Sequence, residues 1–319
     1  MQDLLAVYRA SVRARRLDER LSSLAHAGRI GAHPDARGFE PSLAAVVLAL
    51  RPDDAVFPGL REHAAALVRG LPIADYVAHA FGTAEGPTHG HGAPAMLASR
   101  ALRVGPPSGL LSNHLTHAAG HAWAGKLRRD DVVTLALFGE AAADAGEFHT
   151  AVNFAGATRA PIVFVCRTDR TGASGLPRPV ERVIDKAVAY GVEAAEAPAH
   201  DVASVHAALT RALARARSGE GPTLLEIVRT DPACPIESLR DALIAAGVWD
   251  STQDFALHRD TTLEIEAAVR AAMAAAPPAR ASLFEHVFAA LGPQLEAQQR
   301  ALLDAPSGAP VAARRENES

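Results

Sequence analysis

Leu5, Tyr8 and Val12, then Leu17, Leu21 and Leu24, recur at three- and four-residue spacing. That period predicts an amphipathic helix ending near Gly28. Residues 31–38 carry Gly, Pro and Asp without a period and read as loop, and a buried helix follows from about Glu40 to Leu50. After Pro52-Asp-Asp comes a short Ala55-Val-Phe strand. Residues 83–110 are rich in Gly, Pro and His and show no periodicity, so they read as one long loop, a length that usually serves function.

From there the pattern becomes regular. A helix over about 112–127 leads to Val132–Phe138, an apolar run too short for a buried helix and flanked by turn residues, which reads as a buried parallel strand. The alternation continues with a helix at 143–158, a strand at 161–166, a helix near 180–190, a strand at 191–195, a helix at 201–217 and a strand at 223–228. Strands alternating with helices predict an α/β fold, a doubly wound parallel sheet with helices on both faces. The N-terminal helix and helices at about 236–247, 260–275 and 280–303 extend it. One domain over 1–303 is expected, with a disordered polar tail at 304–319.

Composition narrows the function. The 32 basic residues against 36 acidic ones give a formal charge of -4, so no basic excess favours nucleic acid or an anionic membrane. Thirty of the 32 are Arg, Lys126 and Lys186 being the exceptions, a bias that reads as coding composition. Two cysteines 68 positions apart, Cys166 and Cys234, exclude a disulfide framework and a cysteine zinc site and fit a reducing cytoplasm. No apolar leader or run of roughly 20 apolar residues is seen, so neither a signal peptide nor a spanning helix is expected.

In such a sheet ligands bind beyond the carboxyl ends of strands. Two strand ends therefore draw attention, Phe138-Gly139-Glu140-Ala141-Ala142-Ala143-Asp144 and Cys166-Arg167-Thr168-Asp169-Arg170-Thr171-Gly172. Each puts a carboxylate, Glu140 and Asp169, at a strand mouth. Two hard oxygen ligands suit magnesium held with a phosphate, and Arg167 adds a planar cationic fork for the phosphate. The alternative is that both are polar strand ends facing water. His114, His117 and His121 share one helix face, as a metal site or as a packed surface.

Gly139–Asn153 resembles the Gly-Asp/Glu-Gly-Ala-Ala segment that opens the thiamine diphosphate motif in alpha subunits of the first component of 2-oxo acid dehydrogenases, the pyruvate and branched-chain family. Thr168-Asp169 stands where that motif closes with Asn-Asn. Val56–His63 resembles the family's Tyr-Arg-Glu-His block, Leu115–Gly120 its helix beside the cofactor, Ser218–Glu226 its last sheet strand, and Pro235–Asp250 its C-terminal helical entry. The resemblance runs from about residue 4 to 303.

It implies a thiamine diphosphate-binding fold and an alpha subunit supplying the diphosphate half of a site completed by a beta subunit, in an alpha2-beta2 heterotetramer. The implied reaction decarboxylates a 2-oxo acid oxidatively and passes the acyl fragment to a lipoyl group on the second component. Thiamine diphosphate and magnesium are the implied cofactors, with Arg61, Leu111, Gly139, Glu140, Ala141, Ala142, Arg167 and Asp169 at the cofactor and Glu140, Asp169 and Thr171 at the metal. His63, His89 and His91 are the candidate acid-base groups.

The departures concern binding and catalysis. Asp169 replaces the ligand Asn, bringing a charge that attracts the metal and repels phosphate; Ala141 replaces a Gly near the diphosphate, and Arg170 a Gly of the following turn. After Val228 the family carries a long loop with a His reaching the reacting centre, whereas Arg229–Pro235 passes almost directly into the next helix, about 20 residues shorter. Met96 stands at another family His. Three readings follow: an active alpha subunit, a degenerate alpha-like scaffold subunit, or a subunit of a non-oxidative thiamine diphosphate-dependent transferase.

Overall fold

The computed structural model describes residues 2–171, 182–285 and 287–305. The N-terminal period becomes α1 (Gln2–His26), followed by α2 (Glu40–Leu48), strand β1 (Ala55–Phe57), two short helices α3 (Ala64–Val68) and α4 (Ile73–Phe81), and α5 (Asn113–Arg128). Then come β2 (Thr134–Gly139), a 3-10 turn (Glu140–Asp144), α6 (Gly146–Thr158), β3 (Ile162–Asp169), a 3-10 helix (Val183–Tyr190), β4 (Glu193–Pro198), α7 (Val202–Arg217) and β5 (Thr223–Arg229). Three further helices close the described chain: α8 (Pro235–Ala245), α9 (Ser251–Ala274) and α10 (Pro293–Asp304).

The five strands form one parallel sheet in the order β1-β2-β3-β5-β4. Side chains alternate across it, as a two-residue period requires. Leu135, Leu137, Val163, Val165, Leu225 and Ile227 join α1, α2, α4, α7 and α9 in one buried cluster, while Ala136, Phe138, Ile162, Phe164 and Cys166 join α5 and α6 in another. Both faces are thus covered, which explains the unbroken apolar strands. The step from β3 to β4 skips a place and α7 returns the chain to β5 between them, so α7 lies on the face opposite α6.

The C-terminal helices depart from their expected bounds. The helix expected over 260–275 begins at Ser251, because Asp250 and Gln253 close a reciprocal capping box. The helix expected over 280–303 is two pieces, a 3-10 turn (Arg280–Phe284) and α10. α3 and α4 were not expected. The segment 83–110 does lack helix and strand, apart from two isolated bridges around Val104. Of the tail, residues 306–319 lie outside the described residues, as do 180–181 of the helix expected near 180–190. No described helix is long and apolar enough to cross a membrane.

α6 packs against the turn after the 3-10 helix with no room to spare, since a Cβ on Gly156 would lie 2.3 Å from the Tyr190 carbonyl oxygen. Backbone on both sides cannot yield cheaply. Gly156→Ala is expected to lower stability by about 1–3 kcal/mol in a denaturant titration.

Candidate functional site

Register decides which side chains meet. Gly139 pairs with Arg167, and Asp169 pairs with Arg229, so the carboxyl ends of β2, β3 and β5 finish side by side. β3 runs three residues past the expected end, which puts Arg167, Thr168 and Asp169 on the strand itself. A cavity of about 760 Å³ opens at this edge. Its walls come from residues 34–39 after α1, the turn Gly59–Glu62 after β1, the segment Ser108–Ser112, His114 of α5, and the ends of β2 and β3 with the turn between β2 and α6.

All eight residues expected at the cofactor, Arg61, Leu111, Gly139, Glu140, Ala141, Ala142, Arg167 and Asp169, line this one cavity. Thr171 does not line it but donates from both its backbone N–H and its hydroxyl to Asp169 Oδ1, at 2.9 and 2.6 Å. His89 and His91 are exposed in the long loop and His63 is buried behind the wall; none of the three lines the cavity.

Arg167 is the buried cation of the site, 8% exposed. Its Nε donates to Glu62, itself 2% exposed, and its guanidinium lies 4.9 Å from the Phe39 ring centroid. The carboxylate and the ring leave the fork little freedom, so charge is held in place before any anion arrives. Arg37 and Arg61 line the same cavity from exposed positions. Ser112 ties the segment 108–112 down by donating to Ala142 O at 2.5 Å, in a left-handed conformation (φ 69°) that a non-glycine residue adopts at a cost of about 1–3 kcal/mol. Leu110 and Leu111 beside it are 71% and 58% exposed at the cavity mouth.

The two carboxylates are neighbours through the backbone, because Glu140 Oε2 accepts from the Asp169 N–H at 3.2 Å. Asp169 also meets a cation that sequence reading overlooked: Arg229 Nη1 lies 3.2 Å from Asp169 Oδ2. Burial pushes the Asp169 carboxyl up, but the Thr171 donors and Arg229 outweigh it and hold it below the ordinary carboxylate range. The charge that replaces the family Asn is therefore matched.

His114 donates from Nε2 to Leu137 O at 2.9 Å, which leaves Nδ1 an acceptor; it is buried without a hydrogen-bond partner among the described residues. Burial lowers its pKa, so it is a neutral imidazole in the cavity wall. His121 bonds Thr134 and His117 is exposed, so the three helical histidines do not converge. His63 has both nitrogens engaged, Nδ1 donating to Leu60 O at 3.1 Å and Nε2 to Asp18 Oδ1 at 2.6 Å. Burial works against its charge, yet Asp18 raises its pKa overall. The clue to Asp18 was an acid beside Leu17 and Leu21 on the apolar face of α1.

Comparison with known proteins gives a consistent family. The family described as "Dehydrogenase E1 component" matches residues 8–232. The 2-oxoisovalerate dehydrogenase subunit alpha of Bacillus subtilis is 30% identical over 233 residues, covering 71% of this chain and 70% of its own. The 3-methyl-2-oxobutanoate dehydrogenase subunit alpha of Mycobacterium tuberculosis is 32% identical over 228 residues, covering 70% and 59%. The pyruvate dehydrogenase E1 component subunit alpha of Bacillus subtilis is 29% identical over 299 residues, covering 84% and 77%.

Proposed function

We propose that this chain, which belongs to the dehydrogenase E1 component family, is the alpha subunit of a thiamine diphosphate-dependent 2-oxo acid dehydrogenase that acts with a beta subunit and a lipoyl-bearing second component. The observation that carries the proposal is the strand register, which brings Glu140, Arg167 and Asp169 into one cavity with Arg61. The donor set fits the cofactor: arginines for a diphosphate, and two adjacent carboxylates with the Thr171 hydroxyl for magnesium. Bound there, the cofactor would supply the carbanion chemistry that 2-oxo acid decarboxylation needs.

The chain's own residues bind and orient. Arg167 offers its remaining N–H groups from a fixed fork, Arg61 and Arg37 add charge from exposed positions, and Arg229 cancels much of the Asp169 charge as seen by an anion. The segment Ser108–Ser112 presents Leu110 and Leu111 as an apolar rim. Trp123, Leu127 and Phe154 leave apolar surface on α5 and α6, which supports a protein partner there.

Calorimetric titration of the alpha-beta assembly with thiamine diphosphate and magnesium tests the proposal. Glu140→Ala and Asp169→Ala are expected to lose metal-dependent binding, while Asp169→Asn keeps or tightens it by removing a charge that repels the diphosphate. Arg229→Ala frees the Asp169 charge and is expected to weaken binding by up to about a hundredfold, the roughly 3 kcal/mol between two charges about 6 Å apart at an effective dielectric near 20. Unchanged affinity in both Ala variants removes the metal from this cavity. A second reading, an alpha-like scaffold subunit, is favoured by one observation: five residues, Thr230 to Cys234, separate β5 from α8. Absence of cofactor binding in the assembly would select it.

A further inference from the structure

Asp18, His33 and His63 come from α1, the loop after it and the turn before α3, and their ligand atoms lie within 4.8 Å of one another. Both imidazoles aim Nε2 at the same oxygen, Asp18 Oδ1, at 2.9 Å from His33 and 2.6 Å from His63. Asp18 Oδ2 accepts the Ala36 N–H at 3.1 Å, and the second nitrogen of His63 donates to the Leu60 carbonyl. A histidine that ligates a metal through one nitrogen usually gives its other N–H to such a carbonyl. Two buried polar atoms beside the cluster are left over. Tyr76 is 0% exposed, its ring 5.7 Å from that of His63, and its hydroxyl has no hydrogen-bond partner among the described residues; His33 Nδ1 has none either. Protons alone satisfy the shared oxygen but leave the Tyr76 hydroxyl unpaired, at a cost that a buried structure seldom accepts.

We propose that Asp18, His33 and His63 form a binding site for a divalent transition metal of the zinc class, separate from the cavity at the strand ends. Two imidazoles and a carboxylate are the ligand types such ions take, and three protein ligands leave a fourth position for the Tyr76 hydroxyl or a water. Bonds of about 2.0–2.1 Å in a tetrahedral shell set ligand atoms about 3.3 Å apart, so the two nitrogen–oxygen separations need open by only about 0.4–0.7 Å, while the two imidazole nitrogens already lie within 4.8 Å of each other. The protons balance: His63 releases its Nε2 proton and keeps Nδ1–H on Leu60, and His33 shifts its proton from Nε2 to Nδ1. The site bears on the cavity through the chain. His33 directly precedes the wall segment that begins at Pro34, and His63 directly follows Arg61 and Glu62, so one ion would pin both walls to α1.

The test uses the full chain, stripped with chelator and titrated with Co2+ and then Zn2+. One equivalent of cobalt is expected to give the visible bands of a four-coordinate nitrogen and oxygen site, zinc to displace it, and zinc to raise the melting temperature. His33→Gln, which loses one ligand and leaves the His63–Asp18 bond intact, is expected to keep the circular dichroism of the metal-free chain while weakening cobalt binding at least tenfold. His117→Gln, on an exposed position of α5, is expected to bind as the parent does. No stoichiometric cobalt spectrum in the parent, or one that survives both His33→Gln and His63→Gln, overturns the proposal. Neither result depends on thiamine diphosphate, so this site and the proposed function fail separately.

Discussion

Arg167→Met is expected to destabilise the chain by about 3–5 kcal/mol, because it strands the Glu62 carboxylate in a buried place without its cation. Burial alone would penalise either charge, and only the pairing makes the two tolerable together. The double variant Glu62→Gln, Arg167→Met removes both charges and is expected to recover much of the loss, so a double-mutant cycle should show coupling of about 2 kcal/mol or more. The face of Phe39 under the guanidinium adds about 0.5–2 kcal/mol that only an Arg or Lys at this position keeps. Denaturant titration of the four proteins checks this. A single variant within 1 kcal/mol of the parent would mean that water reaches Glu62 in solution. Cofactor binding provides a second reading of the same pair, because the double variant regains stability but not the fork that faces the cavity.

The order of strands and helices was legible because both faces of the sheet are covered, so each strand is a continuous apolar run between turn residues. The end of β3 was not, since Arg167, Thr168 and Asp169 look like a polar loop in isolation. They are strand because β5 pairs with them as far as Arg229, and that pairing is settled 60 residues away. α3 is five residues long and too short for periodicity to register, whereas α4 carries a readable stripe of Ile73, Tyr76, Val77 and Ala80. At the site, the eight residues expected at the cofactor all line the cavity, whereas Thr171, His63, His89 and His91 do not. The charge pairings did not show in sequence: Glu62 under Arg167, Arg229 beside Asp169, and Asp18 under His63 are partners joined by tertiary structure, and only Asp18 stands out in the sequence, as a charge among the leucines of α1.

The connection from β5 to α8 sets the expected rate. Five residues span at most about 17 Å when extended, and these are tied to their own strand: Arg229 donates to Pro232 O at 3.1 Å, and Ala233 N–H to Asp231 Oδ1 at 2.8 Å. Such a segment cannot fold over a cavity of about 760 Å³ and carries no histidine. A closing segment excludes water and completes the acid-base set, so its loss falls on decarboxylation and acyl transfer more than on cofactor binding. General acid-base groups contribute about 10² to 10⁴-fold. The alpha-beta assembly, loaded with thiamine diphosphate, is therefore expected to turn over 2-oxo acids at least about a hundred times more slowly than a family member with the full loop. Grafting a family loop between Val228 and Pro235 should restore part of the rate, measured as acyl transfer to a lipoyl acceptor. Normal turnover without the graft would defeat the expectation and direct attention to His114, the neutral imidazole already in the cavity wall. Cofactor bound with no turnover even after grafting would instead place the deficit in the changes at Ala141 and Asp169.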